Sequence, residues 1–331
     1  MKIAMIAAAV ALAMAAPATA SAEAGDWIRQ SLQQVAGNPA MCGVENAAAR
    51  GTLKRFANVK LPESGKVIVV NIPSGVVTAY DNGRPVIESK AVVGGAKTQT
   101  PELDTHVTFV RPNPTWTVPQ SIIRRKGWIE KLESDPSFFD TNGFDIMVGG
   151  RKTSTADAAA NPSAVTGFVQ RPGPGNALGV LKIGIENDQA IYLHDTNDPG
   201  KFESEVRAAS AGCVRVEKVR DIAAWILDVP TSQVDALIDG GDVENLPPPE
   251  PVRVILGYWT AWPDDSGRLR FYPDIYNLDG KGASCGGGDA WQQDDSAEDE
   301  TPQSDGPRFV PADAPKPPAR PVPAWTEYQV R

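Results

Sequence analysis

The chain has 331 residues, 41% of them apolar, with a net charge of −9, 30 glycines and 29 prolines. This is enough apolar content for a sizeable core, while acidity without a basic stripe argues against nucleic acid as a partner. There are three cysteines, an odd count that points to at least one free thiol.

Met1-Lys2 and the apolar run Ile3 to Ala16 form a charged start and a hydrophobic stretch shorter than the roughly 20 residues that span a bilayer. Residues 1–22 therefore read as a secretory signal peptide, with A-x-A cleavage sites at Ala18-Thr19-Ala20 and Ala20-Ser21-Ala22. No later segment is apolar enough to cross a membrane. Residues 23–64 read as a helical arm, amphipathic around Trp27 to Leu32 and helical again from Asn46 to Phe56.

Lys66 to Ile72, Val76 to Tyr80 and Pro85 to Gly94 read as strands, and Asn82-Gly83 between the last two is a hairpin signal. Thr105 to Val110 continues the strand pattern, and Pro119 to Leu132 has helical periodicity. Residues 134–176 are long, polar and broken by Gly149-Gly150 and Pro172-Gly173-Pro174-Gly175, which suggests an irregular, mobile lid. Gly179 to Ile185 and Ala190 to Leu193 read as strands, which puts His194 at a strand end. Helices are expected over Glu217 to Leu227 and Ser232 to Ile238. Pro247-Pro248-Pro249 is a stiff spacer, and a C-terminal hairpin extension over 241–281 turns at Asp264 to Gly267. Residues 282–331 contain no Leu, Ile or Met and are acidic, then proline-rich, so a disordered tail is expected.

Ser210-Ala211-Gly212-Cys213-Val214-Arg215-Val216 follows His194-Asp195-Thr196, with Cys213 nineteen positions after His194. A thiol attacks as its thiolate, and it needs an imidazole or another cation nearby to reach that state. Gly212 leaves room for a carbonyl to approach and lets backbone N–H groups face a developing oxyanion. Alternation along an extended segment places Arg215 on the face of Cys213, where it either steadies a substrate carboxylate or braces the loop. Ser210 either braces the loop or meets substrate. Trp116 either walls a groove or fills the core. His106 reads as an ordinary strand residue. His194, Asp195 and Cys213 lack the clustered spacing of a metal site, so no metal or other cofactor is expected. Cys42 and Cys285 either pair with each other or both stay free, leaving Cys213 as the reactive thiol in both cases.

The His-Asp-Thr and Ser-x-Gly-Cys-Val-Arg-Val segments resemble the signature of the L,D-transpeptidases, the YkuD-type domains that remodel peptidoglycan through a cysteine acyl-enzyme. Many members of that family have a histidine where this chain has Ala211. Lys66 to Pro73, Ala91 to Gly95, Thr100-Pro101, Asn113 to Pro119, Gly257 to Trp262 and Phe271 to Tyr276 are also similar to one branch of it. The resemblance implies a β-rich α+β catalytic domain over 65–240, with a capping insertion at 134–176. It implies Cys213 as nucleophile, His194 as proton carrier and Gly212 as backbone of the oxyanion loop, with Ser210, Arg215, Trp116 and Asp195 as candidate substrate contacts. Peptidoglycan stem peptides are the implied partners of a periplasmic monomer open to carbapenem acylation. The implied product is a 3-3 link between diaminopimelates. Because of Ala211, a 1-3 link from L-alanine stays open, beside L,D-carboxypeptidase activity and a non-catalytic wall-binding module.

Overall fold

A computed structural model describes residues 26–38, 43–61, 64–264 and 268–280. The signal-peptide reading, Cys42, Cys285 and the tail reading over 282–331 fall outside the described residues. Two helices, α1 (Asp26–Ala36) and α2 (Gly43–Phe56), precede strands β1 (Lys66–Asn71), β2 (Val76–Asp81), β3 (Arg84–Gly94) and β4 (Leu103–Pro112). An inserted unit follows. It runs through β5 (Trp116–Thr117), α3 (Gln120–Arg125), α4 (Trp128–Ser134), α5 (Ser137–Thr141), β6 (Phe144–Val148), β7 (Arg151–Thr153), α6 (Thr155–Ala160) and β8 (Val165–Gln170). The chain then returns through β9 (Leu181–Ile185), β10 (Tyr192–His194), β11 (Ala208–Ser210), β12 (Val214–Val216), α7 (Val219–Leu227), α8 (Thr231–Asp239), β13 (Val252–Gly257), β14 (Ala261–Pro263) and β15 (Leu269–Phe271).

The main sheet has nine strands in the order β11-β3-β12-β10-β9-β4-β13-β1-β2, and β2 pairs again with β3. Eight strands therefore form a closed circuit, with β11 attached alongside β3. Closure satisfies both edges of the sheet, which an open sheet leaves unpaired. The β2–β3 turn is made by Asn82 and Gly83, with φ of 47° and 75°, the conformation that suits a tight hairpin.

β1 is buried along its whole length, and the alternation of its side chains explains why. Ile68 and Val70 join the main core with Leu181, Ile183, Leu193, Val214, Val254 and Ile222 of α7. Val67 and Val69 point the other way, into a second core with Ile28 and Leu32 of α1, Phe56 of α2 and Trp259. Each such side chain contributes about 1.5–3 kcal/mol when buried. Tyr258, Trp259 and Tyr276 are themselves buried, so the segment after β13 packs as part of this body.

Two expectations need correction. The helix expected over Pro119 to Leu132 is two helices, parted at Gly127, whose φ of +57° is left-handed and disfavours a side chain. Residues 134–176 are not an irregular stretch. Most of that segment folds into a sheet of order β5-β8-β6-β7 over α4 and α5. Its core holds Trp128, Leu132, Phe139, Phe144, Ile146 and Phe168, and Trp128 lies edge-on to Phe144 at 4.9 Å and to Phe168 at 5.4 Å. Its polar connections hid this core from a periodicity reading. The Pro-Gly stretch after β8 is pinned as well: Asn176, 1% exposed, donates to the carbonyls of Pro114 and Arg171, and Gln170 donates to Asn142 and Gly175.

Phe168→Ala should cost about 3–5 kcal/mol of local stability, because Phe168 is enclosed in an aromatic cluster of its own. In hydrogen exchange, the amides of Phe144–Val148 should lose protection while those of Lys66–Asn71 keep it. Equal loss in both segments would show that the inserted unit does not melt separately.

Candidate active site

His194 ends β10, which lies between β9 and β12; Leu193 pairs with Val214, and His194 pairs with Arg215 and with Lys182. Leu193, Val214 and Val216 fill the core, so the alternate residues His194 and Arg215 share the opposite face. Cys213 stands immediately before β12, at the end of a loop held by hydrogen bonds at Ser210, Gly212 and Cys213.

Ser210 is buried, and its hydroxyl donates to the carbonyl of Cys213 at 2.5 Å and accepts from the Gly212 N–H at 3.1 Å. The Gly212 carbonyl accepts from Thr100 Oγ1 at 2.8 Å, and the Ser210 carbonyl accepts from Thr98 Oγ1 at 2.8 Å. The Tyr276 hydroxyl in turn accepts from the Thr100 N–H and donates to the Gly94 carbonyl. Gly212 has a φ of +118°, a region that a side chain would strain. The Ser210 hydroxyl is thus engaged within the loop, and the Gly212 N–H is directed at Ser210. Thr98, Thr100 and Tyr276, which sequence reasoning did not assign to the site, support the Ser210 to Cys213 loop from two distant segments.

The Cys213 thiol donates to the Ala190 carbonyl at 3.6 Å. Burial pushes its pKa up, opposed by hydrogen bonds from the N–H and hydroxyl of Tyr192 and by the charges of Lys182 and Arg215. The Tyr192 hydroxyl also bonds Trp116, and burial together with the sulfur raises the tyrosine pKa. Trp116 packs edge-on against Trp128 of the inserted unit at 6.2 Å. It packs on the aromatic core of the inserted unit, as the core-filling alternative expects.

His194 is 5% exposed, and its Nδ1 is buried with no hydrogen-bond partner. Burial, followed by the charge of Arg215, lowers its pKa to about 3, against a raising contact with the Asp195 backbone and with Lys182 lowering it further. The imidazole is accordingly neutral at ordinary pH, with a ring nitrogen able to take a proton. Asp195 turns its carboxylate to the Val180 N–H at 2.9 Å, a bond within the fold. His106 is exposed on β4. Among the described residues, no group of three or more His, Cys, Asp or Glu could hold a metal ion, and no helix is long and apolar enough to cross a membrane.

A thiol and a neutral imidazole on one face of a closed β-circuit, with the thiol on a glycine-bearing loop, define a cysteine acyl-transfer type of site. The family model of the YkuD L,D-transpeptidase catalytic domain matches residues 65–254, more than half of the chain, and the chain belongs to that family. A curated Haemophilus influenzae protein named "Putative L,D-transpeptidase" is 29% identical over 225 residues, covering 66% of this chain. The match spans 46% of that protein's own length. Among solved structures, an L,D-transpeptidase from Mycobacterium smegmatis is 14% identical with a TM-score of 0.28, over 57% of this chain and 58% of that one. Another from Xylanimonas cellulosilytica is 14% identical with a TM-score of 0.27, over 69% and 90%. At those TM-scores the structures add no weight, and membership rests on the family model.

Burial of His194 ties stability to pH. Its ordinary pKa is 6.5 and its folded value about 3, so between these limits the unfolded chain holds a proton that the fold excludes. The contribution is complete above about pH 6.5 and is lost as pH falls, by up to about 1.4 kcal/mol per unit. Between pH 7 and 5.5, wild type should lose about 1 kcal/mol more than His194→Gln in urea unfolding. Parallel losses in the two proteins would show that His194 is not buried in its neutral form.

Proposed function

We propose that this chain is an L,D-transpeptidase that cross-links peptidoglycan stem peptides through an acyl-enzyme on Cys213. The observation that supports this reading is the placement of a neutral, buried His194 on β10, paired with Arg215 of β12, the strand that opens directly after Cys213 and its braced loop. In this reading the Cys213 sulfur attacks the carbonyl of an L-centre in the donor stem, forming a C–S bond. The thiol proton passes to His194 and then to the departing amine as the C–N bond breaks. An acceptor amine next attacks the thioester, loses its proton to His194 and releases the sulfur. The Gly212 N–H is committed to Ser210, so the Cys213 N–H takes the main part in holding the oxyanion.

The product favoured is a 3-3 link between diaminopimelates. A 1-3 link from L-alanine is the second reading, favoured by Ala211, an exposed residue beside the nucleophile at a position often held by histidine in the family. The apolar start of the sequence, Met1 to Ala22, supports export and a periplasmic site of action. A carbapenem would acylate the same sulfur.

Cys213→Ala should abolish enzyme-dependent cross-links while leaving the melting temperature within a few degrees of wild type. His194→Ala should keep slow acylation that recovers in part at higher pH, as solvent takes over deprotonation of the thiol. Mass spectrometry of muropeptides from purified sacculi reads both effects and distinguishes 3-3 from 1-3 dimers. Cross-linked dimers that persist with Cys213→Ala would overturn the assignment.

A further inference from the structure

Arg111 on β4, Lys182 on β9, His194 on β10 and Arg215 on β12 occupy one row across four neighbouring strands, each paired with the next. Residues paired in this way share a face, and like charges side by side on a sheet repel. Arg111 is drawn aside, donating from Nε to Asn245 at 2.6 Å and lying over the Phe109 ring. The carboxylate next in sequence to His194, that of Asp195, turns to the Val180 N–H. Lys182 forms no ion pair with a described carboxylate. Its ammonium instead sits 3.9 Å from the centre of the Tyr192 ring, and Tyr192, one residue before the Leu193–Val214 pair, stands beside Cys213 across the parallel β10–β12 register.

We propose that Lys182 is the positioning cation of the nucleophile, its ammonium sustaining negative charge on Cys213 across the Tyr192 ring. This inference rests on the reading of Cys213 as nucleophile. An ammonium over a phenol face is held by the ring quadrupole, and it draws electron density from the hydroxyl, which becomes a stronger donor to sulfur. The groups around Lys182 are Arg111, His194 and Arg215 along the row, with Tyr192 and Cys213 beside it; Cys213 is the group among them that the proposed reaction requires as an anion. Neutral His194 takes the proton but brings no positive charge to the resting thiol. Burial lowers the Lys182 pKa, and the Cys213 charge raises it in return, the reciprocity expected of two groups that stabilise each other. Lysine therefore supplies the electrostatic part of thiol activation and histidine the proton transfer.

The test is the pH profile of Cys213 alkylation by iodoacetamide in the full-length protein, followed at that residue by peptide mass spectrometry. In this probe reaction the sulfur–carbon bond forms, the carbon–iodine bond breaks, iodide leaves and the thiol proton goes to solvent. Lys182→Met should raise the midpoint by about one pH unit, or about tenfold slower alkylation below it. Lys182→Arg, which keeps the charge, should restore most of the rate. Should Lys182→Met fail to fold, Lys182→Gln serves as the neutral variant. An unchanged midpoint in the neutral variant would overturn the proposal, even if KM for a stem peptide rises, since that pattern belongs to a lysine that binds a substrate carboxylate. A shift as large in Lys182→Arg as in the neutral variant would also overturn it, by marking a packing role. If a carbapenem forms no adduct on wild-type Cys213, the nucleophile assignment fails and this inference with it.

Discussion

A half-buried thiol and a buried imidazole at the same sheet face are the constraint around which the site is arranged. Low dielectric penalises charge on both groups: it pushes the Cys213 pKa up and the His194 pKa down. A resting thiolate–imidazolium pair is therefore disfavoured, and the two groups stand as a neutral acid beside a neutral base. In the proposed reaction, charge develops on the sulfur and the oxyanion only during attack, as the thiol proton leaves. Dipoles and charges held in place beforehand offset that penalty without reorganising. The N–H and hydroxyl of Tyr192 and the charges of Lys182 and Arg215 do so at Cys213.

The same burial explains the dense bracing of the nucleophile loop. A carbonyl or N–H removed from water and left unpaired costs about 1–3 kcal/mol. The carbonyls of Ser210, Gly212 and Cys213 and the N–H of Gly212 each find a partner, from Thr98, Thr100 or Ser210. Because Ser210 bonds both sides of Gly212, the left-handed turn at that glycine is fixed at both ends. The sulfur is thus presented from a braced backbone, which the proposed reaction needs to hold an attacking atom in line with its target.

Strands with alternating or continuous apolar residues were readable from sequence because their period survives burial: β1 to β4 and β9 fall where Lys66 to Ile72, Val76 to Tyr80, Pro85 to Gly94, Thr105 to Val110 and Gly179 to Ile185 suggested. The motif around Cys213 was readable because a small glycine before a cysteine is a local feature. The inserted unit was not. Its core is assembled from single aromatic residues, Phe139, Phe144 and Phe168, spread over short elements, with no window long enough to show a period. Lys182 and Tyr192 were hidden for a different reason. Each sits in an ordinary strand segment, and only the register of β9 against β10 brings them together with His194. Such a relation exists in space and has no trace in spacing along the chain.

The match to the family ends at residue 254, inside β13, yet the physical unit extends further. Tyr258 donates to Asp274 and accepts from the Tyr276 N–H, and Tyr276 closes the path to Thr100 and so to Gly212. On the opposite face, Arg55 of α2 donates to the Tyr258 carbonyl and pairs with Asp279, while Thr52 donates or accepts at Thr260. The N-terminal helices thereby clamp the segment that carries Tyr276, and that segment holds the residues supporting the nucleophile loop. A core formed by 65–254 alone would expose Val67, Val69 and Ile255, now covered by α1, α2 and Trp259, and would leave the Thr100 N–H without its tyrosine. The flanking segments therefore belong to the same body through two linked effects, burial of the outer face of β1 and β13 and fixation of the loop on which Cys213 is carried.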